Sequence, residues 1–472
     1  MQRILGRVGR ALAYTAAALI TVVLLGVIYA FIVNSFDESL TPQAQALLAE
    51  PPHTVRSEGN LYVAIMGFQA PAGESPIAAG QRRIVHYNAA LDGMLVDVGA
   101  QMAFSATDMP RRLEFNGDSK LWSPLTGSLW ESAKTRRTEL QQAKSANAVL
   151  LERYRLLHTL QAYDETARPS YLMPIGTVPA AVRGLYLADI AARFQAAPRG
   201  QRHQALQDLA ADVALWRTVL TSKRSLLSVM LAAGALRADE LLLADLIADP
   251  STDLNGFDNE LKALLQPFSA PDWRLGEVFA AEYRATDAMF RPEVLDRVPM
   301  DATSARPVRW IRRHWNSFRM HFFKLHATEN LRAEQINHNI ALSAVDLDHY
   351  AAQLARYRDW ASRDESVHGL AALYNPVGRL LTSIARGAYG DYQTRVFDAA
   401  ALQRLPICEL EIRRQHLAAG DVPAFLSHHP EWCSHVVPGH PFHWDPSTRQ
   451  LSVVPLGTRN PTHRWSVALK FL

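Results

Sequence analysis

LQDLAADVALWRTVL, residues 206–220, decides the fold. Leu206, Leu209, Val213, Trp216 and Leu220 recur at spacings of three and four, which lines them along one face of an α-helix. Strand alternation fits none of it. The pattern continues on both sides. Ala181 to Phe194 reads as a preceding helix, and Leu226 to Ile247 as one or two following ones ended by Asp249-Pro250. Asp239 to Ile247 is apolar nearly all round, the mark of a helix inside a stack. Ser132 to Leu160 is rich in helix formers and poor in breakers, and Asn330 to Trp360 reads as another long helix. The connections are short and carry Pro or Gly, as helical hairpins require. The expectation is a mainly α protein.

The two ends differ from this middle. Ala11 to Val33, ALAYTAAALITVVLLGVIYAFIV, holds 23 residues and no charge. At about 1.5 Å per residue it covers the roughly 30 Å hydrocarbon layer of a bilayer. Arg3, Arg7 and Arg10 precede it, and Asp37 and Glu38 follow. Retained positive charge predicts a cytoplasmic N-terminus, one transmembrane helix and a periplasmic bulk. A cleaved signal peptide is the competing reading, but the apolar run is longer than a signal core of about 7–15 residues. Residues 34–60, with Pro42, Pro51 and Pro52 among polar residues, read as a stalk. LYVAIMGF (61–68), bounded by Gly59 and Pro71, has the length and flanks of a buried strand, with a helix start as the alternative, and makes 61–130 a small mixed segment. The expected order is cytoplasmic 1–10, anchor 11–33, stalk 34–60, mixed segment 61–130, helical domain 131–400, and 401–472 as a helix, a His-rich loop and a β-hairpin. That hairpin pairs Phe442–Trp444 with Leu451–Val454 across the turn at Asp445 to Gln450.

Chemistry is less legible. There is no G-x-S-x-G, no H-E-x-x-H, no phosphate-binding glycine loop and no dinucleotide fingerprint. A net charge of +3 from 49 basic and 46 acidic residues argues against nucleic acid as a partner, since that needs a concentrated basic face. His435, His440 and His443, with Cys433 and Asp445 close by, are candidate metal ligands, although loop histidines at a surface account for the same spacing. Glu334 and His338, one helical turn apart, are a weaker pair of that kind. Cys408 and Cys433 are the only cysteines, and in an oxidising compartment they are disulfide candidates. Val308 to Leu325 is sharply amphipathic. Its Arg309, Arg312, Arg313, Trp315 and Phe318 suit a membrane surface, while a core helix with outward arginines explains them as well.

The stretches GNLYVAIMGFQAP (59–71), DVALWRTVL (212–220), HATENLRAEQ (326–335), YNPVGRLL (374–381) and GHPFHWDPSTRQL (439–451) together resemble uncharacterised proteobacterial proteins with one membrane helix and a mostly helical periplasmic portion. That resemblance implies topology and compartment but no chemistry. The tail also resembles the closing hairpin of secretion pseudopilins, without their leader and N-terminal Glu. The expected function is a non-enzymatic envelope protein, without cofactor, that touches lipid through 11–33 and binds another envelope protein through its helical domain. A periplasmic hydrolase or metal-dependent enzyme near the C-terminal histidines is the alternative.

Overall fold

A computed structural model describes residues 2–49, 59–108, 112–123, 127–196, 198–295, 318–362, 369–385, 389–456 and 464–471. It is mainly helical, with one small antiparallel sheet near the C-terminus. The helices are α1 (Gln2–Val33), α2 (Pro42–Leu48), α3 (Leu61–Met66), α4 (Pro76–Val96), α5 (Val98–Thr107), α6 (Leu129–Thr135), α7 (Arg137–Ala146), α8 (Ala148–Leu157), α9 (Ala180–Ala196), α10 (Arg199–Ser222) and α11 (Leu226–Ala248). They continue as α12 (Asp258–Leu264), α13 (Gly276–Asp287), α14 (Pro292–Leu295), α15 (Leu325–Ala344), α16 (Leu347–Ser362), α17 (Pro376–Ala385), α18 (Gly390–Arg414) and α19 (Val422–His428). Two compact units divide the chain: residues 1–50, 283–338 and 358–387 form one, and residues 51–282, 339–357 and 388–472 the other.

In the larger unit the stripe of α10 is inside: Leu206, Leu209, Val213, Trp216 and Leu220 are all buried. Helices α9, α10 and α11 pack on one another, and α11 also packs along α18. Pro406 sits within α18, where it removes one backbone donor without ending the helix. Against α18 lies an apolar cluster that includes Leu405, Ile412, Phe425, Phe442 and Leu451. The sheet that closes it has order β1 (His443–Asp445), β2 (Gln450–Val453), β3 (Trp465–Ala468), with Trp444 opposite Leu451 and Leu451 opposite Val467. The expected hairpin is therefore two strands of three. Asp445 shapes its turn by accepting from the Ser447 backbone N–H at 2.9 Å.

Several sequence expectations need correction. LYVAIM is helix α3, not a strand. Asn60 starts it, its Oδ1 accepting from the Tyr62 N–H at 3.0 Å. All six residues are buried, so no polar side revealed the period. Helix α3 lies so close to α4 that a Cβ on Gly80 would meet the Val63 carbonyl oxygen at 1.8 Å. With α4 and α5 following, the described part of 61–130 contains no strand, and an isolated bridge pairs Asn60, just before it, with Ala162. The run 132–160 breaks into α6, α7 and α8 at Arg136 and Asn147, and 330–360 falls into α15 and α16. Asn147 leaves its helix to bond both backbone groups of Asn116, at 2.8 Å each.

In the smaller unit the expected stalk is, over 34–48, a docked segment. The Asn34 Nδ2 donates to the Leu373 carbonyl at 2.6 Å, and its Oδ1 accepts from the Asn375 N–H at 2.8 Å. Asp37 caps α15, accepting from the N–H groups of His326 and Ala327 at 3.0 and 3.1 Å. Thr41 caps α2, whose Ala44 and Leu47 are buried. Polar composition suggested a spacer, yet these side chains serve as caps. Helix α1 carries the charge-free run, and Tyr14–Val33 is long and apolar enough to cross a membrane.

Candidate functional site

The most concentrated polar chemistry in the larger unit lies where α8, α9, α10 and α11 meet. Asp212 of α10 is fully buried. Its Oδ1 accepts from the Tyr154 hydroxyl at 2.5 Å and lies 2.9 Å from His158 Nε2. Its Oδ2 accepts from Arg183 Nη2 at 2.9 Å. The same guanidinium is bonded to Asp239 of α11, and the Trp216 indole N–H donates to the Tyr154 oxygen at 3.0 Å. Burial raises the Asp212 carboxyl, but Arg183 and the His158 and Tyr154 contacts outweigh it, so its pKa falls below the usual carboxylate range. Asp239 moves the other way. Burial and the neighbouring Asp212 push it well up, against the pull of Arg183. One guanidinium between two carboxyls thus keeps one ionised and favours a proton on the other.

Beside this network is a cavity of about 310 Å³. Ile65, Trp216, Val219, Met230 and Leu231 give it apolar walls, and Tyr163, Ser228, Arg183 and Arg237 supply the polar points. This is the size and mixture of a small-ligand site. The Arg183 Nε–H is buried without an acceptor. Arg237 is half-buried with its guanidinium 5.8 Å from the Trp465 ring centre, and burial lowers its pKa. Among the described residues no carboxylate forms an ion pair with it. Tyr163 and Ser228 are already held by each other at 2.7 Å and by Glu165, which also accepts from Ser225 at 2.7 Å. Those serine hydroxyls face a carboxylate, and no histidine joins them among the described residues. The arrangement therefore binds more readily than it attacks.

The sequence candidates are dispersed. His435 is buried, with Nε2 3.1 Å from Asp398 and Nδ1 accepting from the Val437 N–H at 3.0 Å, so both ring nitrogens are engaged. Its ring is 6.1 Å from that of His440, while His443 is exposed on β1. Glu334 is exposed, and His338 lies 4.0 Å from the Trp360 ring. Among the described residues no three His, Cys, Asp or Glu side chains are grouped to hold a metal ion. Cys408 and Cys433 form a disulfide. Arg309, Arg312, Arg313 and Trp315 lie outside the described residues. Phe318 is 45% exposed and meets Phe31 edge-on at 5.8 Å.

Sequence reasoning missed the charge network and the cavity. A signal was there: Arg183, Asp212 and Asp239 lie on the apolar faces of their helices, among Val182, Leu209, Val213, Leu236 and Leu243, and a buried charge needs a partner. No family model, curated protein or solved structure matches the chain.

Proposed function

We propose that this is a single-pass protein of the bacterial inner membrane, N-terminus cytoplasmic and bulk periplasmic, that binds an anionic amphiphile rather than catalysing a reaction. The charge-free run of α1, three arginines before it and two acids after it support the topology. A disulfide suits an oxidising compartment. The cavity carries the binding reading: its walls take an alkyl chain, and Arg237 offers a guanidinium to an acidic head. A membrane-bound protein meets such molecules constantly. Another envelope protein as partner is the second reading, favoured by the exposed Leu227 and Leu231 one turn apart on α11, the latter at the cavity.

Octanoate titration of the full chain in a non-ionic detergent tests this by calorimetry. Gly234 lines the cavity and a Cβ there meets nothing within 4 Å, so Gly234→Phe adds a ring at the cavity wall. We expect saturable binding to the native protein, loss of it in Gly234→Phe, and about tenfold weaker binding in Arg237→Gln, one lost charge-assisted contact. Equal binding by native protein and Gly234→Phe removes the cavity from consideration.

A further inference from the structure

We infer that the smaller unit lies on the bilayer surface and dips an apolar face, made by Leu370, Leu380 and Ile384, into its interfacial layer. These side chains are 67%, 62% and 74% exposed, more than is usual for large apolar residues. Leu380 and Ile384 are one turn apart on α17, and Leu370 begins the short 3-10 turn Leu370–Leu373 that leads into it. Single exposed apolar residues need no explanation, but three on adjoining elements do.

What covers them follows from where α1 ends. The charge-free run extends to Val33, yet Ala30 is already buried by protein. Phe31 packs against Phe318, His321 and Phe322, with ring centres 5.0–5.8 Å apart. The Leu373 carbonyl holds Asn34, and the Val377 N–H of α17 reaches the Phe322 carbonyl at 3.4 Å. The elements bearing the apolar face are therefore fastened to the last turn of the apolar helix. No flexible spacer separates them. Ala30 to Val33 is about 5 Å of helix rise, within the roughly 5–10 Å that interfacial helices sink. A protein wall reaching Ala30 must stand at the boundary of any bilayer that the charge-free run crosses. The occupant of the face is accordingly lipid. Arg379 of α17, one residue before Leu380, is placed to meet headgroup phosphates, although its Nε–H is spent on the Tyr374 carbonyl at 3.0 Å.

This inference rests on α1 being membrane-spanning, and its test separates the two. The full chain is labelled at Leu24→Cys, Leu380→Cys or Ile384→Cys with an environment-sensitive fluorophore, the native cysteines being closed in their disulfide. Each is reconstituted into phosphatidylcholine vesicles with or without a nitroxide on an upper acyl carbon. Nitroxide should quench all three positions, and emission at 380 and 384 in vesicles should lie at shorter wavelength than that of the same fluorophore on a free cysteine in buffer. Quenching at 24 alone overturns the membrane-facing surface and leaves the anchor standing. Blue-shifted emission at 380 and 384 that nitroxide lipid does not quench means that protein covers the face, which also overturns it. Absence of quenching at all three positions removes both readings.

Discussion

Where α8, α9, α10 and α11 meet, the protein buries charge beside charge. Around α18 and the C-terminal sheet it buries carbon, a disulfide and one isolated carboxyl. In the first region Arg183, His158 and Tyr154 all meet Asp212 within 3 Å, and that carboxyl is held ionised although buried. In the second, Glu409 is fully buried, neither of its oxygens has a hydrogen-bond partner, and burial drives its pKa well up. Glu240 of α11 shares that condition beside the charged network, pushed up to about 8 by burial against the pull of Arg217. The difference lies in partners rather than depth. Asp212, with a guanidinium, an imidazole and a phenol on its two oxygens, stays charged, whereas Asp239, which shares only that guanidinium, and the unpartnered Glu409 and Glu240 are pushed toward their protons.

The largest test removes the centre of the charged region. Asp212→Ala leaves Arg183 with Asp239 alone and strips an acceptor from Tyr154 and His158, so unfolding of the full chain by urea should show a loss of about 3–5 kcal/mol. A loss below 1 kcal/mol would mean that the network is not a unit.

Glu240 tests the unpaired condition. Its folded pKa of about 8 lies above the unfolded value of 4.5, so the folded state binds the extra proton. Stability from this group is whole below pH 4.5 and is lost as pH rises toward 8, by at most about 1.4 kcal/mol per pH unit. Glu240→Gln should flatten the decline of stability between pH 5 and 8 relative to the native chain. Parallel curves contradict the assignment.

The C-terminal region has its own brace. Cys408→Ser with Cys433→Ser opens a crosslink between positions 25 apart, and should cost about 2–4 kcal/mol with little change in pH dependence. Smaller still is the contrast within the histidines. His435→Ala takes one partner from Asp398, which keeps the Leu456 N–H, and removes the acceptor of the Val437 N–H, so it should lower stability by about 1–3 kcal/mol, whereas His443→Ala should stay within about 0.5 kcal/mol. Equal melting temperatures for the two variants would mean that the tail behaves as one surface loop.

Much of the helical core is legible because its helices have two sides. The stripe of α10 is visible at a spacing of three and four, and α11 is visible as a buried element from Asp239 to Ile247. What could not be read is where periodicity vanishes or where partners are distant in sequence. Helix α3 hides its period because all six residues are inside. Strand β3, Trp465–Ala468, is short and is separated from β2 by the long stretch 454–464, too long for the spacing of a tight hairpin to announce it. Asp212 is 29 residues from Arg183 and 54 from His158, separations at which no local motif forms. The histidines made the opposite error possible: six gather in the last 45 residues, yet His435 faces Asp398 and His443 faces outward.

The fastening at Asn34 also sets an order of events during synthesis. Its partner Asn375 follows it by 341 residues, and Ala327, which Asp37 caps, follows by 290. At roughly 5–20 residues per second, tens of seconds pass between the emergence of the two sides. Throughout that interval Asn34 and Asp37 are hydrated, and residues 51–282 can condense first. The smaller unit closes late, by a long-range pairing whose loop entropy slows it. A chain truncated just before Asn375 therefore lacks the partner of Asn34, although residues 51–282 and 339–357 of the larger unit are already made.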